Sequence, residues 1–234
     1  VLVAAAVCPH PPLLVPGVGA GASGELDGLR VACDTAVLDL LAAEPTLVVV
    51  VGGAPVVGPY GEGAWGSLAA FGVRVPVGSG AGEPTLPLAL TLGRWLLSRA
   101  DGQAQGPTLL FGVEPDAGTD RCLALGEALA GRADRVALLV MGDGSARRSV
   151  KGPGGLHPDA EPFDTAVAAA LAAGDPDALA ALDPAHATDL LAVGRAPWQV
   201  LAGAASGRSW QGAVTWTGSP YGVTYLVATW TPAG

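Results

Sequence analysis

Lysine is almost missing from this chain. Lys151 is the only one, and twelve basic residues stand against twenty-one acidic ones for a net charge of -9. A phosphate-rich partner would meet net repulsion, which argues against nonspecific nucleic-acid binding and against an anionic membrane surface. Cysteine is scarce as well: Cys8, Cys33 and Cys122 are widely spaced and form no CxxC pair. That usage excludes a disulfide framework or a zinc ribbon and is expected of buried or free thiols in a reducing cytoplasm. No apolar run approaches the ~20 residues a membrane helix needs. Residues 1–7 have the length of a short signal core but lack a basic flank, and the bulky Val7 before Cys8 suits no small-residue cleavage site. A buried first strand is the expectation there. Charged residues make up only 14% of the chain while half of it is hydrophobic, which excludes disorder as a description of the whole.

What is present is an alternation of two kinds of segment. Runs 1–8, 46–52, 108–113 and 135–141 are continuously apolar, the pattern of parallel strands buried on both faces. Between them, 25–43, 88–98 and 121–130 carry apolar residues at helical spacing, and 68–77 suggests a short edge strand. The last third turns alanine-rich. Helices are expected over 163–173, 176–182 and 187–193, with Asp175 and Asp183 near two of their starts, and Pro197 opening a further helix to 205. Two strands, 212–217 and 222–231, close the chain through the turn-like Gly218-Ser219-Pro220-Tyr221. This predicts one α/β domain over 1–234: a helix-flanked, mainly parallel central sheet with a C-terminal helical segment and a closing strand pair.

The densest chemistry lies in Met141-Gly-Asp143-Gly-Ser145-Ala-Arg147-Arg148-Ser-Val-Lys151. A strand ends here in a glycine-flanked carboxylate, followed by three cations within five positions. The carboxyl ends of strands in an open α/β sheet are where ligands bind. Asp143 is therefore a candidate catalytic group, and Ser145, Arg147, Arg148 and Lys151 are candidates to grip a small anionic or polarised ligand. His10 follows the first strand, is stiffened by Pro11 and Pro12, and should face the same edge. His157 follows the arginine loop and is a second catalytic candidate, whereas His186 reads as a helix-start residue. Gly19-Ala-Gly21-Ala-Ser-Gly24 matches GxGxxG formally, but the intervening 10–16 segment takes it away from the strand end that a dinucleotide site requires. There is no Walker A, HExxH or EF-hand signature, and Gly142-Asp-Gly-Ser145-Ala is not GxSxG.

Taken in order, Cys8-Pro-His10-Pro-Pro, Val48-Val-Val-Val-Gly-Gly-Ala-Pro55, Met141-Gly-Asp-Gly-Ser145, Pro162-Phe163-Asp164 and Ser219-Pro-Tyr221-Gly-Val-Thr-Tyr-Leu-Val-Ala228 resemble the class III extradiol ring-cleavage dioxygenase family. The likeness is to its LigB-like type, whose relatives include the Memo-like proteins, and in particular to an alanine-rich, actinobacterial-type branch. The resemblance implies a ferrous iron held by two histidines and a glutamate, with open positions for a catechol and dioxygen. His10 matches the first ligand. Gly53 occupies the place of the second histidine, Thr217, Gly218 and Ser219 the region of the glutamate, and Ala146 that of the acid–base histidine. The resemblance thus implies the fold with most iron ligands missing and no cofactor. A divergent member or pseudoenzyme is expected, binding a small anionic or aromatic ligand at the sheet edge with Tyr221 alongside. Two alternatives stay open: an Fe(II) dioxygenase with altered ligation, in which His10, Asp143 and His157 converge, and a scaffold or homo-oligomer using Trp65, Trp198, Trp210, Trp216 or Trp230.

Overall fold

Why the centre of the chain forms a parallel sheet is visible in one strand. Val-Ala-Leu-Leu-Val-Met, residues Val136–Met141, is buried at every position, so both of its faces must be covered. The computed structural model describes residues 1–19, 23–100 and 106–234. In chain order its elements are β1 (Leu2–Cys8), α1 (Asp27–Ala42), β2 (Leu47–Gly53), β3 (Gly58–Tyr60), β4 (Gly66–Ser67), β5 (Pro76–Val77), α2 (Leu88–Arg99), β6 (Thr108–Val113), α3 (Thr119–Ala130) and β7 (Val136–Met141). They continue with α4 (Ala160–Ala173), α5 (Pro176–Ala180), α6 (Pro184–Asp189), α7 (Arg195–Ala205), β8 (Trp210–Gly218) and β9 (Tyr225–Pro232).

A seven-stranded sheet runs in the order β3-β6-β2-β7-β1-β9-β8. Its centre, β6, β2, β7 and β1, is parallel, while β3, β9 and β8 join by antiparallel pairing. Alternate side chains feed two separate cores. Ala4, Ala6, Cys8, Val48, Val50, Leu139 and Met141 pack with α1 and α2. Ala5, Val7, Val49, Val51, Leu138 and Val140 pack with α3, α4 and α7. On that second face α3 and α7 approach closely enough that a Cβ on Gly126 would lie 2.0 Å from the Val200 carbonyl oxygen. One on Gly203 would lie as close to the Leu123 carbonyl.

The connections place the site. From β1 and β2 the chain leaves toward α1 and α2; from β6 and β7 it leaves toward α3 and α4, on the opposite face. The neighbouring strands β1 and β7 therefore send their carboxyl-end loops to opposite faces, the arrangement beside which open α/β sheets ordinarily bind ligands.

Two sequence expectations are corrected. The segment 68–77 forms no edge strand of the main sheet: a 3-10 turn at Ala69–Phe71 ends on Gly72 at φ 84, and β5 pairs only with β4 in a separate two-stranded sheet. The edge is β3, three residues with a central proline, too short and too irregular to stand out in sequence. The helix expected over 187–193 is α6, starting at Pro184 because the Asp183 carboxylate accepts the Ala185 amide, and it ends before Leu191, whose φ is 55. Of the GxGxxG stretch, 20–22 lie outside the described residues, and Gly24 falls in the 3-10 turn Ser23–Leu26 before α1.

Candidate functional site

His10 and Asp143 meet just beyond the carboxyl ends of β1 and β7. The strands end side by side, with Cys8 level with Met141 and the Gly142 amide donating to the Cys8 carbonyl at 3.0 Å. Two residues on, the His10 amide donates to Asp143 Oδ1 at 2.8 Å, and His10 Nδ1 stands 3.5 Å from the same oxygen. Pro11 holds the following backbone extended at φ -65 and ψ 138, and Pro12 opens a 3-10 turn, so the imidazole sits on a stiff support. Both side chains are 13% exposed. His10 Nδ1 is buried and has no hydrogen-bond partner among the described residues. Burial raises the Asp143 carboxyl above the ordinary carboxylate range, opposed by the His10 imidazole and the His10 amide. The main-chain oxygen of Asp143 accepts from the Gly194 amide at 2.8 Å, tying the turn to the start of α7.

The groups beneath this pair are held neutral. Burial pushes the Tyr225 hydroxyl well up, with the charges of Asp143 and Tyr221 adding to it. The Cys33 thiol is pushed up by its hydrogen bond with Cys8 and by burial, so this buried residue is a thiol and not a reactive thiolate.

The arginine turn is engaged elsewhere. Ser145 is fully buried: its amide donates to Asp164 Oδ1 at 2.8 Å, its hydroxyl donates to the Leu190 carbonyl and accepts the Arg147 amide. Arg147 donates to the carbonyls of Gly154 and Asp189 and pairs with the Asp189 carboxylate at 3.4 Å. Arg148 lies 3.4 Å from Asp164 Oδ2 and 3.5 Å from Glu161. His157 accepts the Asp159 amide on Nδ1 and places Nε2 3.3 Å from Asp189, so it joins the Arg147 group and not His10. His186, with no role expected, lies in the same group, edge-on to Phe163 with Nε2 3.9 Å from Asp159. Lys151 is exposed and makes no ion pair among the described residues. Tyr221 donates to Glu25 at 2.6 Å, a bond that raises its phenol above the usual range. Of the residues singled out in the sequence, His10 and Asp143 thus lie together at the carboxyl edge of the sheet. The guanidinium donors expected to grip a ligand are instead paired with Asp164, Glu161 and Asp189, because those carboxylates come within reach only once α4 and α6 fold over the turn.

Two other residues gain importance from their partners. Asp164, 3% exposed on α4, accepts from the Ser145 amide, from the Thr224 hydroxyl at 2.6 Å and from Arg148. Burial raises its carboxyl, and those three donors oppose the rise. It thereby joins the Asp143 turn to the β8–β9 connector. Arg195, 1% exposed at the start of α7, donates to the carbonyls of Ala117 and Pro115 and to Gln199. It fixes the β6–α3 loop next to Gly53, where a Cβ would have Pro115 Cγ as its nearest neighbour at 3.8 Å. Asp164 lay inside a motif without a role of its own; nothing marked Arg195.

The donor set does not fit iron. Gly53 and Gly218 have no side chain to offer, and the Ser219 hydroxyl is bonded to Thr224 Oγ1 at 2.8 Å. Among the described residues no three His, Cys, Asp or Glu side chains are grouped so that they could hold a metal ion. A ferrous centre needs several donors fixed together, and among the described residues His10 is paired with Asp143 alone.

No protein-family model matches the chain, and no curated protein does. Among solved structures the chain is similar to the crystal structure of uncharacterized protein JW3007 from Escherichia coli K12. The likeness covers 98% of this chain and 99% of that one at 16% identity, with a TM-score of 0.54. At that identity it shows the shared α/β fold alone.

Proposed function

We propose that this chain is a divergent member of the extradiol dioxygenase-like family that works without iron and binds a small hydroxyl-bearing molecule in the β1/β7 crevice. The observation that carries the reading is the His10–Asp143 pair at that crevice, with an imidazole nitrogen that is buried and unbonded. An unsatisfied buried polar atom costs about 1–3 kcal/mol, so it marks a place where a partner belongs. Asp143 Oδ1 takes the His10 amide, and Oδ2 has no bond among the described residues. A carboxylate oxygen and a neutral imidazole both accept hydrogen bonds, which selects a ligand that donates. A phenolic or catecholic hydroxyl is the class the family resemblance suggests. An anion is the poorer match, because Arg147 and Arg148 are paired with the protein's own carboxylates. The imidazole can take a proton from such a hydroxyl, with the adjacent carboxylate balancing the charge, so the pair is suited to general-base work. A protein that binds and performs no turnover is the pseudoenzyme form of the same reading.

The test is calorimetric titration of protein purified without chelator, using catechol and simple phenols in one series and inorganic phosphate and benzoate in another. The expected result is phenol binding weakened about tenfold or more by His10→Ala, the loss of one buried hydrogen bond to the ligand. Phosphate or benzoate binding that depends on Arg148 and ignores His10 would overturn the ligand class. Stoichiometric iron in the purified protein, with oxygen uptake on catechol, would overturn the metal-free reading.

A further inference from the structure

Tyr225, the first residue of β9, is brought to His10 and Asp143 by the strand it opens. β9 runs beside β1 as far as the pair of Ala228 with Val7, and the residue before Tyr225 bonds to the turn that carries Asp143. There the Thr224 amide donates to the Ser145 carbonyl and the Gly144 amide donates to the Thr224 carbonyl, both at 2.8 Å. Tyr225 belongs to the core on the α1 face of the sheet, with Cys8, Cys33 and Met141. The Asp143 charge acts on Tyr225 and on Cys33 alike, so the carboxylate lies over that same face.

Three polar atoms in this group are unused. The Tyr225 hydroxyl, His10 Nε2 and Asp143 Oδ2 make no hydrogen bond among the described residues, and none of them is sealed from solvent as His10 Nδ1 is. They are of two kinds. A carboxylate oxygen accepts, and a neutral imidazole has one accepting nitrogen. The tyrosine hydroxyl has a proton to give, and burial together with the Asp143 charge keeps it in place. An ammonium ligand uses only the acceptors and a carboxylate ligand only the donor. A hydroxyl uses both kinds through one oxygen.

We propose that Tyr225 is the donor of this site: its hydroxyl binds the oxygen of the ligand's aromatic hydroxyl, whose hydrogen points at the His10–Asp143 pair. The proposal rests on the reading of that pair as a phenol site and adds what the pair lacks, a group that favours the oxygen once it is ionised. A hydrogen bond to a charged acceptor is about twice as strong as one to a neutral acceptor, so the Tyr225 bond strengthens when the ligand loses its proton. A bound phenol is therefore more acidic with this hydroxyl present than without it.

Spectrophotometric titration of 4-nitrophenol, whose anion is coloured, on the full chain tests this. Tyr225→Phe should raise the pH midpoint for ionisation of the bound ligand by about one unit, a tenfold change. It should leave the melting temperature unchanged, since no protein group loses a partner. With the unsubstituted protein, 4-nitroaniline, which donates but accepts poorly, should bind about tenfold more weakly than 4-nitrophenol. A midpoint that Tyr225→Phe leaves in place, a melting temperature that it lowers by several degrees, or equal binding of the two ligands overturns the tyrosine's part alone. Absence of 4-nitrophenol binding, or binding that His10→Ala leaves intact, overturns the phenol reading and this proposal with it.

Discussion

Replacing Asp164 by alanine should be among the most destabilising single changes at the carboxyl edge of the sheet. The carboxylate accepts the Ser145 amide at 2.8 Å and the Thr224 hydroxyl at 2.6 Å, and both bonds are buried. Removing it leaves the Ser145 amide without an acceptor and the Thr224 hydroxyl with only the Ser219 hydroxyl to turn to, losses of about 1–3 kcal/mol each. Arg148 adds little, since its approach is 3.4 Å and it is 22% exposed with Glu161 at hand. Part of the cost returns, because burial disfavours the carboxylate itself. The net expectation is a loss of about 3–4 kcal/mol in urea unfolding at neutral pH. Asp164→Asn keeps one oxygen for the Ser145 amide and should lose about 1–2 kcal/mol. Thr224→Val should fall between wild type and Asp164→Ala, and the double variant should cost less than the sum of the two, because they break the same bond. A loss below about 1 kcal/mol for Asp164→Ala, or strict additivity with Thr224→Val, would refute the assignment of Asp164 as the common acceptor.

Two further outcomes follow from the same reasoning. Burial raises the Asp143 carboxyl in the folded state, so the fold binds that proton more tightly than the unfolded chain, and stability falls as pH climbs from the ordinary carboxylate range to the raised value. Asp143→Asn keeps an oxygen for the His10 amide and removes the charge, so its stability relative to wild type should rise across that window and level off above it; a flat or falling difference in paired urea titrations would contradict the burial argument. At the α3–α7 contact, Gly126→Ala puts a methyl 2.0 Å from the Val200 carbonyl oxygen and forces backbone apart, so a loss of about 2 kcal/mol is expected despite the helix preference for alanine, and a neutral or raised melting temperature would show that the contact relaxes freely.

How much of this was legible in the sequence depends on where each feature's cause lies. The strands 108–113 and 135–141 were readable nearly to the residue, since burial on both faces writes itself as an unbroken apolar run. The edge strand β3 was not, because its pairing with β6 is decided by neighbours and its own residues, glycine and proline, favour turns. His10 and Asp143 were readable as a pair for a topological reason. Each follows a strand end, and parallel strands must point those ends the same way. The direction of the arginines had no such local cause. Arg147 turns to Asp189, 42 positions away, and Ser145 and Thr224 reach Asp164 over separations of 19 and 60. A cluster of cations in sequence says where charge is, and only the packed helices decide which carboxylates neutralise it.

The same distinction holds at the carboxyl edge of the sheet, where main-chain bonds set the shape. The backbone around His10 and Asp143 is held by main-chain bonds: the Gly142 amide to Cys8, the Gly194 amide to Asp143, the Thr224 amide to Ser145, and the Gly144 amide to Thr224. Arg195 fixes the β6–α3 loop from within the core, and Asp164 fixes the β8–β9 connector from α4. Gly53 and Gly218 bring no side chain to this edge, and His10 is kept in place by its own amide on Asp143. His10 Nδ1 is buried in this framework without a hydrogen bond, 3.5 Å from Asp143 Oδ1.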